Sequence, residues 1–303
     1  MTQSLFSSIL MKILIFAQNA KTHSTRRLTA AAQAQGHEVL VVRPTDCVLR
    51  LERGKTAVTY QHHDLTQFDI ALLRCVSQTQ IGSAIIRPYE TYLATQLELA
   101  GVRCINTPAA KQLASDKLAT AQLLNQANLP IPDTVLAWDL DRVREMIGEE
   151  IQLPLAIKLP KGSWGSGVVK ADSLESAVST HHLMSGLFKI ATLQEYIAEA
   201  NHQDIRAFVV GNHVVAAMRR TAQAGDFRAN VHLGATAEPI VLSDVVAKTA
   251  VSAAQTIGLE VAGVDLLESE RGTLIIEVNS TPGLEEIEST TSIDIASQII
   301  SLF

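Results

Sequence analysis

The stretch Val261–Glu288, VAGVDLLESERGTLIIEVNSTPGLEEIE, constrains this chain more than any other. Two apolar runs, VAGVDLL and TLIIEV, flank a short polar turn at Glu270-Arg271-Gly272, which predicts a β-hairpin. The strand interiors nevertheless contain Asp265, Glu277 and Asn279. An unpartnered buried carboxylate costs several kcal/mol, so two of them in apolar strands imply a cation. Glu277 and Asn279 stand two apart and so share one face of a strand. A hairpin folded about Arg271 sets Asp265 opposite Glu277 on that same face, whereas a one-residue slip turns Asp265 away. Two carboxylates and an amide oxygen form a hard donor set, suited to Mg²⁺ or Mn²⁺ and not to zinc, with phosphates and water completing the shell. The same spacing also fits a strand pair whose acids face solvent.

A chain of 303 residues can hold two or three compact units. Its hydrophobic content of 47% against 18% charged residues marks a folded, soluble protein, and aromatics at 4% leave the core to Ala, Val, Leu and Ile. A net charge of −6 argues against nucleic acid as a direct partner. Cys47, Cys75 and Cys104 are far apart and lack a metal-ligand spacing, which fits free thiols in a reducing cytosol. No apolar run approaches the roughly 18 residues of a membrane span. The first ten residues read as an extension, because the strand KILIFA begins after a second methionine, Met11.

From Lys12 to about Arg103 strands and helices alternate. KILIFA is followed by a helix capped at Ser24 and ended by Gly36, then HEVLVV, FDIALLR, a helix over 85–100 and the strand VRCIN. Such βαβ units imply a parallel sheet with helices on both faces, here without a G-x-G-x-x-G fingerprint. A helical stretch over 109–127 breaks near Ser115-Asp116 and stops before Pro130. LPLAIKLP is a strand in which Lys158 is costly to bury. KGSWGSG then offers Gly162, Gly165 and Gly167 as a flexible backbone able to cradle phosphate oxygens, although the same run suits a plain hairpin turn. Asp172 and Ser173 start a helix, with Glu175 completing a capping box. DIRAFVVGNHVVAAMRR is a hairpin turning at Gly211-Asn212. Ser243 to Gly258 is an amphipathic helix with Val245, Ala250, Ala253 and Ile257 inward.

These residues bear a family resemblance. DLL followed by IIEVNSTPGLEEIE resembles the metal-binding end of ATP-grasp ligases, and most of all the RimK family, which adds glutamate to a protein carboxyl terminus. The likeness extends through QEYIAEANHQDIRAFVVGNHVVAAMRR and GDFRANVHLG to SIDIASQII, covering 99–303 well and the first hundred residues loosely. It implies an α/β chain, α+β in its ATP-grasp part: a 1–10 extension, an 11–105 parallel βαβ domain, a 106–190 small lobe with a glycine lid, and a 191–303 large lobe with the metal site. By this resemblance Lys117 and Lys158 reach the ATP phosphates, the backbone at Glu195 and Tyr196 binds adenine, and Asp204 accepts from the ribose hydroxyls. Arg228, Ala229 and Asn230 lie by the phosphates, and Arg219, Arg220 and Arg228 point toward the reacting groups. Neighbours on a strand face opposite ways, so one of Arg219 and Arg220 is expected at the site. Two Mg²⁺ or Mn²⁺ ions would sit on Asp265, Glu277 and Asn279. The implied partners are ATP, glutamate, a protein or peptide carboxyl end, and further copies of the chain. A ligase of small acids resembling glutathione synthase is the alternative, and LRCVSQTQIG departs from the family's proline-arginine-glycine run on the side facing substrate.

Overall fold

The computed structural model describes residues 10–75, 80–161, 167–188, 190–224, 226, 229 and 234–303. They form two compact units, Met1–Gln112 with Gly258–Val261 and Ser280–Phe303, and Leu113–Ile257 with Ala262–Asn279. The first unit opens with β1 (Lys12–Phe16), α1 (His23–Ala34) and β2 (Glu38–Val42). Then come β3 (Cys47–Glu52), β4 (Lys55–Tyr60), β5 (His63–Asp64), β6 (Ile70–Leu73), α2 (Gln80–Leu99) and β7 (Arg103–Ile105). β2, β1, β6 and β7 pair in that order, all parallel. Ile13, Leu14, Ile15 and Phe16 are each 0% exposed, because a parallel sheet is covered on both faces. β3, β4 and β5 make a separate antiparallel sheet, which the sequence reading did not foresee. Their short, charge-rich strands give little periodicity to read.

Thr22, and not Ser24, caps α1, accepting from the Thr25 N–H at 3.4 Å. The Ser24 hydroxyl instead accepts from the Leu284 N–H at 3.1 Å, so a tertiary contact has taken the expected capping residue.

α3 (Pro108–Ala114) and α4 (Lys117–Gln126) are separated where expected, and Asp116 caps α4 by accepting from the N–H groups of Leu118 and Ala119 at 3.1 Å. In the second unit β8 (Thr134–Val135), α5 (Leu140–Glu149), β9 (Leu155–Lys158), β10 (Val168–Ala171), α6 (Leu174–Phe188) and β11 (Thr192–Glu195) follow. β10, β9, β11 and β8 form an antiparallel sheet. Leu155, Ile157 and Leu193 from this sheet pack with Val143, Ala177 and Val178 from α5 and α6, each side chain larger than alanine contributing about 1.5–3 kcal/mol of burial. The cap of α6 is shifted by one residue from the expected Asp172–Glu175 box. Ser173 Oγ accepts from the Ser176 N–H and Ser176 Oγ from the Ser173 N–H, both at 3.2 Å.

A second sheet comprises β12 (Gln203–Val210), β13 (His213–Thr221), β14 (Thr236–Pro239), β15 (Val261–Ser269) and β16 (Gly272–Asn279), ordered β14-β13-β12-β15-β16, with β13 antiparallel to β12 and β14 and β16 antiparallel to β15. α7 (Asp244–Ile257) contacts β12, β13 and β16 and buries Ala250, Ala253 and Ile257 as expected. Val245, read as inward, is 74% exposed because it lies in the first turn, beyond the buried stripe. The chain returns to the first unit with α8 (Glu285–Thr291) and α9 (Ile295–Ile300). Two side chains tie that unit's three segments together. Asn106 bonds to the backbone of Glu260, Val261 and Ser280, and Glu288 accepts from His23 Nε2 and Arg27 Nε at 3.0 Å.

Candidate active site

β15 and β16 bring three oxygen-bearing side chains to one face, by a route other than the expected one. The turn is the two residues Glu270-Arg271, closed by the pair Ser269–Gly272, so the hairpin does not fold symmetrically about Arg271. From this turn the register sets Leu266 opposite Ile275, and continuing it would set Asp265 opposite Ile276. A bulge intervenes between Asp265 and Leu266, leaving Ile276 as the extra residue; Asp265 then pairs with Glu277 and Gly263 with Asn279. Without the bulge, period-two alternation would turn Glu277 and Asn279 to the face opposite Asp265. The irregularity assembles the set.

The Asp265 side chain is 5% exposed and belongs to a buried charge network. Arg206 donates to it in bidentate fashion, Nε and Nη2 each at 2.7 Å, and Arg220 Nη2 approaches at 3.3 Å. Arg220, 2% exposed on its side chain, grips Asp204 with Nε and Nη2 at 2.7 and 2.8 Å, the two residues being direct partners across β12 and β13. Two guanidinium groups thus balance two carboxylates, which is the condition for burying them at all. Burial pushes Asp265 upward, but Arg206 and Arg220 outweigh it and hold the carboxyl below its usual range. For Asp204 burial wins over the pull of Arg220 and raises the carboxyl to about 6. Arg219 faces the other way, toward Glu268 at 3.0 Å and Glu238 at 3.7 Å.

Beside this face lies a pocket lined by Lys117, Lys158, Thr192, Gln194, Ile276 and Glu277 among others. Lys117 opens α4, its backbone N–H fixed on the Pro160 carbonyl at 2.8 Å, and its Nζ pairs with Glu277 Oε1 at 2.9 Å. Lys158 ends β9 and its Nζ donates to Gln194 Oε1; Gln194 Nε2 in turn donates to Thr134 Oγ1 at 2.8 Å, which orients the amide. Burial pushes the Lys158 ammonium down to about 8, with Glu277 pulling it up and Lys117 pressing it further down. Two ammonium groups around one carboxylate leave the pocket with a positive excess, suited to phosphate oxygens.

The donor set fits a hard divalent cation. Asn279 Nδ2 donates to Gly263 O and to Asp265, both at 3.3 Å, which leaves its oxygen as the available donor beside the two carboxylates. Among the described residues no three His, Cys, Asp or Glu side chains converge to hold a metal ion.

Of the other expected residues, Glu195 Oε2 pairs with Arg271 and accepts from the Asp133 N–H at 3.4 Å. The Tyr196 N–H donates to Pro154 O at 3.3 Å and its ring lies under Lys170 Nζ at 4.7 Å. Gly167 has φ +82°, in the left-handed region that favours glycine, and a Cβ there would press on the Leu159 side chain, 2.8 Å from Cδ1. Ala229 is buried, whereas Gly162, Gly165, Arg228 and Asn230 lie outside the described residues. Sequence reasoning missed Arg206 and Gln194. Arg206 stands two residues after Asp204 on one strand face, which was a usable signal; Gln194 offered none. All three cysteines are buried, and Cys47 and Cys104 are pushed up to about 12 by burial, so neither is poised as a nucleophile.

Fold and site together are those of an ATP-grasp enzyme. Residues 11–110 match the RimK pre-ATP-grasp domain and residues 114–303 the RimK-like ATP-grasp domain. The chain therefore belongs to the RimK-like family of ATP-grasp ligases, enzymes that form carbon–nitrogen bonds. It is 41% identical over 292 residues to a probable alpha-L-glutamate ligase of Thioalkalivibrio sulfidiphilus (strain HL-EbGR7), covering 96% of this chain and 94% of the relative. A probable alpha-L-glutamate ligase of Cellvibrio japonicus (strain Ueda107) is 42% identical with the same coverage. In fold the chain is similar to the ATP-grasp ligase PsnB, solved with a minimal precursor, Mg and ADP. The TM-score is 0.74 at 20% identity, covering 96% of this chain and 95% of that one. No helix among the described residues is long and apolar enough to cross a membrane.

Proposed function

We propose that this ligase uses ATP to add glutamate to the carboxyl terminus of a protein or peptide. The convergence of Lys117, Lys158 and Glu277 in one pocket, beside the face that holds Asp265 and Asn279, carries this reading. The relatives named as alpha-L-glutamate ligases support glutamate as the amine, and the precursor bound by PsnB supports a peptide as the carboxylate. In the first step an acceptor carboxylate oxygen attacks the γ-phosphorus of ATP and ADP leaves, giving an acyl phosphate. In the second the glutamate nitrogen attacks the acyl carbon, phosphate departs with the electron pair, and the nitrogen loses a proton as the amide forms.

Catalysis rests on positioning and charge, with no protein nucleophile. Lys117 and Lys158 hold the phosphates, and the family resemblance assigns Arg228, Ala229, Asn230 and the glycines Gly162, Gly165 and Gly167 to the same nucleotide. The backbone at Glu195 and Tyr196 meets adenine, and Asp204 meets the ribose while sharing its carboxylate with Arg220. Asp265, Glu277 and Asn279 would hold two Mg²⁺ or Mn²⁺ ions, which when bound neutralise β- and γ-phosphate oxygens. Arg220, enclosed by Asp204 and Asp265, positions the carboxylate of Asp265; Arg219 reaches the reaction only if it leaves Glu268. The three buried free thiols favour a reducing compartment such as the cytoplasm.

The test is ADP release by purified protein with ATP and Mg²⁺, scanned over amino acids with and without peptides or protein fractions, with mass spectra searched for glutamate additions. Turnover requiring both glutamate and a peptide or protein is the expected result. Full-rate turnover on small free acids without any peptide would overturn the acceptor assignment.

A further inference from the structure

The first unit holds a cation that the ATP site does not use. Arg74 follows β6 directly, its N–H donating to the Phe16 carbonyl at 2.9 Å, so it stands at the carboxyl end of the parallel sheet beside the end of β1. Ligands of open parallel sheets bind outside the carboxyl ends of the strands. Arg74 Nη2 donates to the Pro282 carbonyl at 2.6 Å, but its Nε, buried, has no hydrogen-bond partner among the described residues.

The neighbouring charges are already committed. Glu90, 3% exposed, accepts from Lys111 Nζ at 2.8 Å and from the Cys75 N–H at 3.2 Å, and Lys111 also donates to the Leu73 carbonyl at 2.9 Å. No carboxylate pairs with Arg74 among the described residues. Burial presses its guanidinium down to about 10 against the pull of Glu90, as befits a cation without its own counter-charge. Leaving such a group uncompensated destabilises the free protein unless an anion is to occupy the place. A planar guanidinium with a free Nε matches a planar carboxylate in two-point fashion. The Gln18 side chain, 3.9 Å from Cys75 Sγ, puts an amide at the same strand ends.

We infer that Arg74 anchors a carboxylate-binding site at the carboxyl end of the parallel sheet, taking the α-carboxylate of a substrate. This rests on the proposed reaction, which has two sources of that chemistry: free glutamate and the end of an acidic peptide. Phosphate groups are provided for in the other unit by Lys117 and Lys158.

The experiment is calorimetric titration of the full-length protein, preloaded with ADP and Mg²⁺, with L-glutamate and with the peptide Ala-Glu-Glu, each as free acid and as α-amide. Wild type should bind the acid of one of them more tightly than its amide. Arg74→Gln should weaken that acid about 10- to 100-fold and erase the difference between acid and amide. Loss confined to glutamate assigns the site to the amine donor, and loss confined to the peptide assigns it to the acceptor. Arg74→Lys, which keeps the charge but not the two-point geometry, should keep part of the discrimination and serves if Arg74→Gln does not fold. A purely structural Arg74 would lower the melting temperature and leave the acid–amide difference intact, which overturns the inference; so does wild type that binds neither ligand. Acid binding that depends on Arg74, in a protein that does not join glutamate to the peptide, would sink the proposed reaction and leave the site standing.

Discussion

Replacing Glu277 with glutamine should have opposite effects on nucleotide binding with and without metal. Glu277 Oε1 lies 2.9 Å from Lys117 Nζ, with the two side chains 30% and 20% exposed. A hydrogen bond to a charged group is worth about 1.5–3 kcal/mol, and partial exposure reduces this to about 1–2 kcal/mol of stability lost at pH 7. The same change removes a negative charge that pairs with Lys117 and pulls on Lys158 in the pocket. Lys158 loses the upward pull of Glu277 and so titrates below about 8.

Metal-free ADP should therefore bind about fivefold more tightly to Glu277→Gln than to wild type, about 1 kcal/mol. In Mg²⁺ the order should reverse by roughly 10- to 100-fold, because a neutral amide replaces a carboxylate in the donor set. Calorimetric titration of ADP at pH 7, once in chelator and once in Mg²⁺, reads both signs on one protein. Weaker binding of the variant in chelator would refute the electrostatic argument. An undiminished Mg²⁺ enhancement would refute the place of Glu277 among the ligands.

Three further outcomes are expected. ADP affinity should fall as pH rises through about 8, where buried Lys158 loses its proton, and Lys158→Arg should flatten that profile; the folded state binds fewer protons than the unfolded one between about 8 and 10.5, so this group makes stability rise with pH in that window. Asp204→Asn should cost about 3–5 kcal/mol in denaturant unfolding, since it strips the buried Arg220 of its bidentate partner; a loss under about 1 kcal/mol would show that the pair is not structural. Deleting Ile276 removes the extra residue and leaves a continuous register that still sets Asp265 opposite Glu277 and Gly263 opposite Asn279, so the Mg²⁺ enhancement of ADP binding should survive in whatever fraction folds, and its loss there would show that the register alone does not assemble the set.

Most of the fold was legible because the chain obeys its periodicities. The apolar strands of the parallel sheet, the break before Asp116 and the Gly211-Asn212 turn all follow from local chemistry that no distant residue overrules. Where a distant residue does intervene, the reading slipped. Ser24 has the chemistry of a cap, but its hydroxyl serves Leu284, 260 positions away in sequence, and Thr22 caps instead. Nothing within a few residues of Ser24 could have announced that.

The hairpin shows why a correct pairing can follow from an incorrect geometry. A symmetric fold about Arg271 and a two-residue turn followed by a bulge both set Asp265 against Glu277. The two differ over residues 266–275, where the observed register is offset by one from the symmetric one. What chose between them is the demand of both faces. Val278, 1% exposed, and Leu266, 0% exposed, must reach the apolar face, while Asp265, Glu277 and Asn279 must share the other. A strict two-residue hairpin cannot satisfy both ends with this sequence, since VAGVDLL and TLIIEVN alternate in phases that differ by one residue. One extra residue in one strand resolves the conflict, and Ile276, partly exposed on the pocket wall, is where it falls. The mismatch was present in the sequence, but reading it required counting the alternation outward from each end and not inward from the turn.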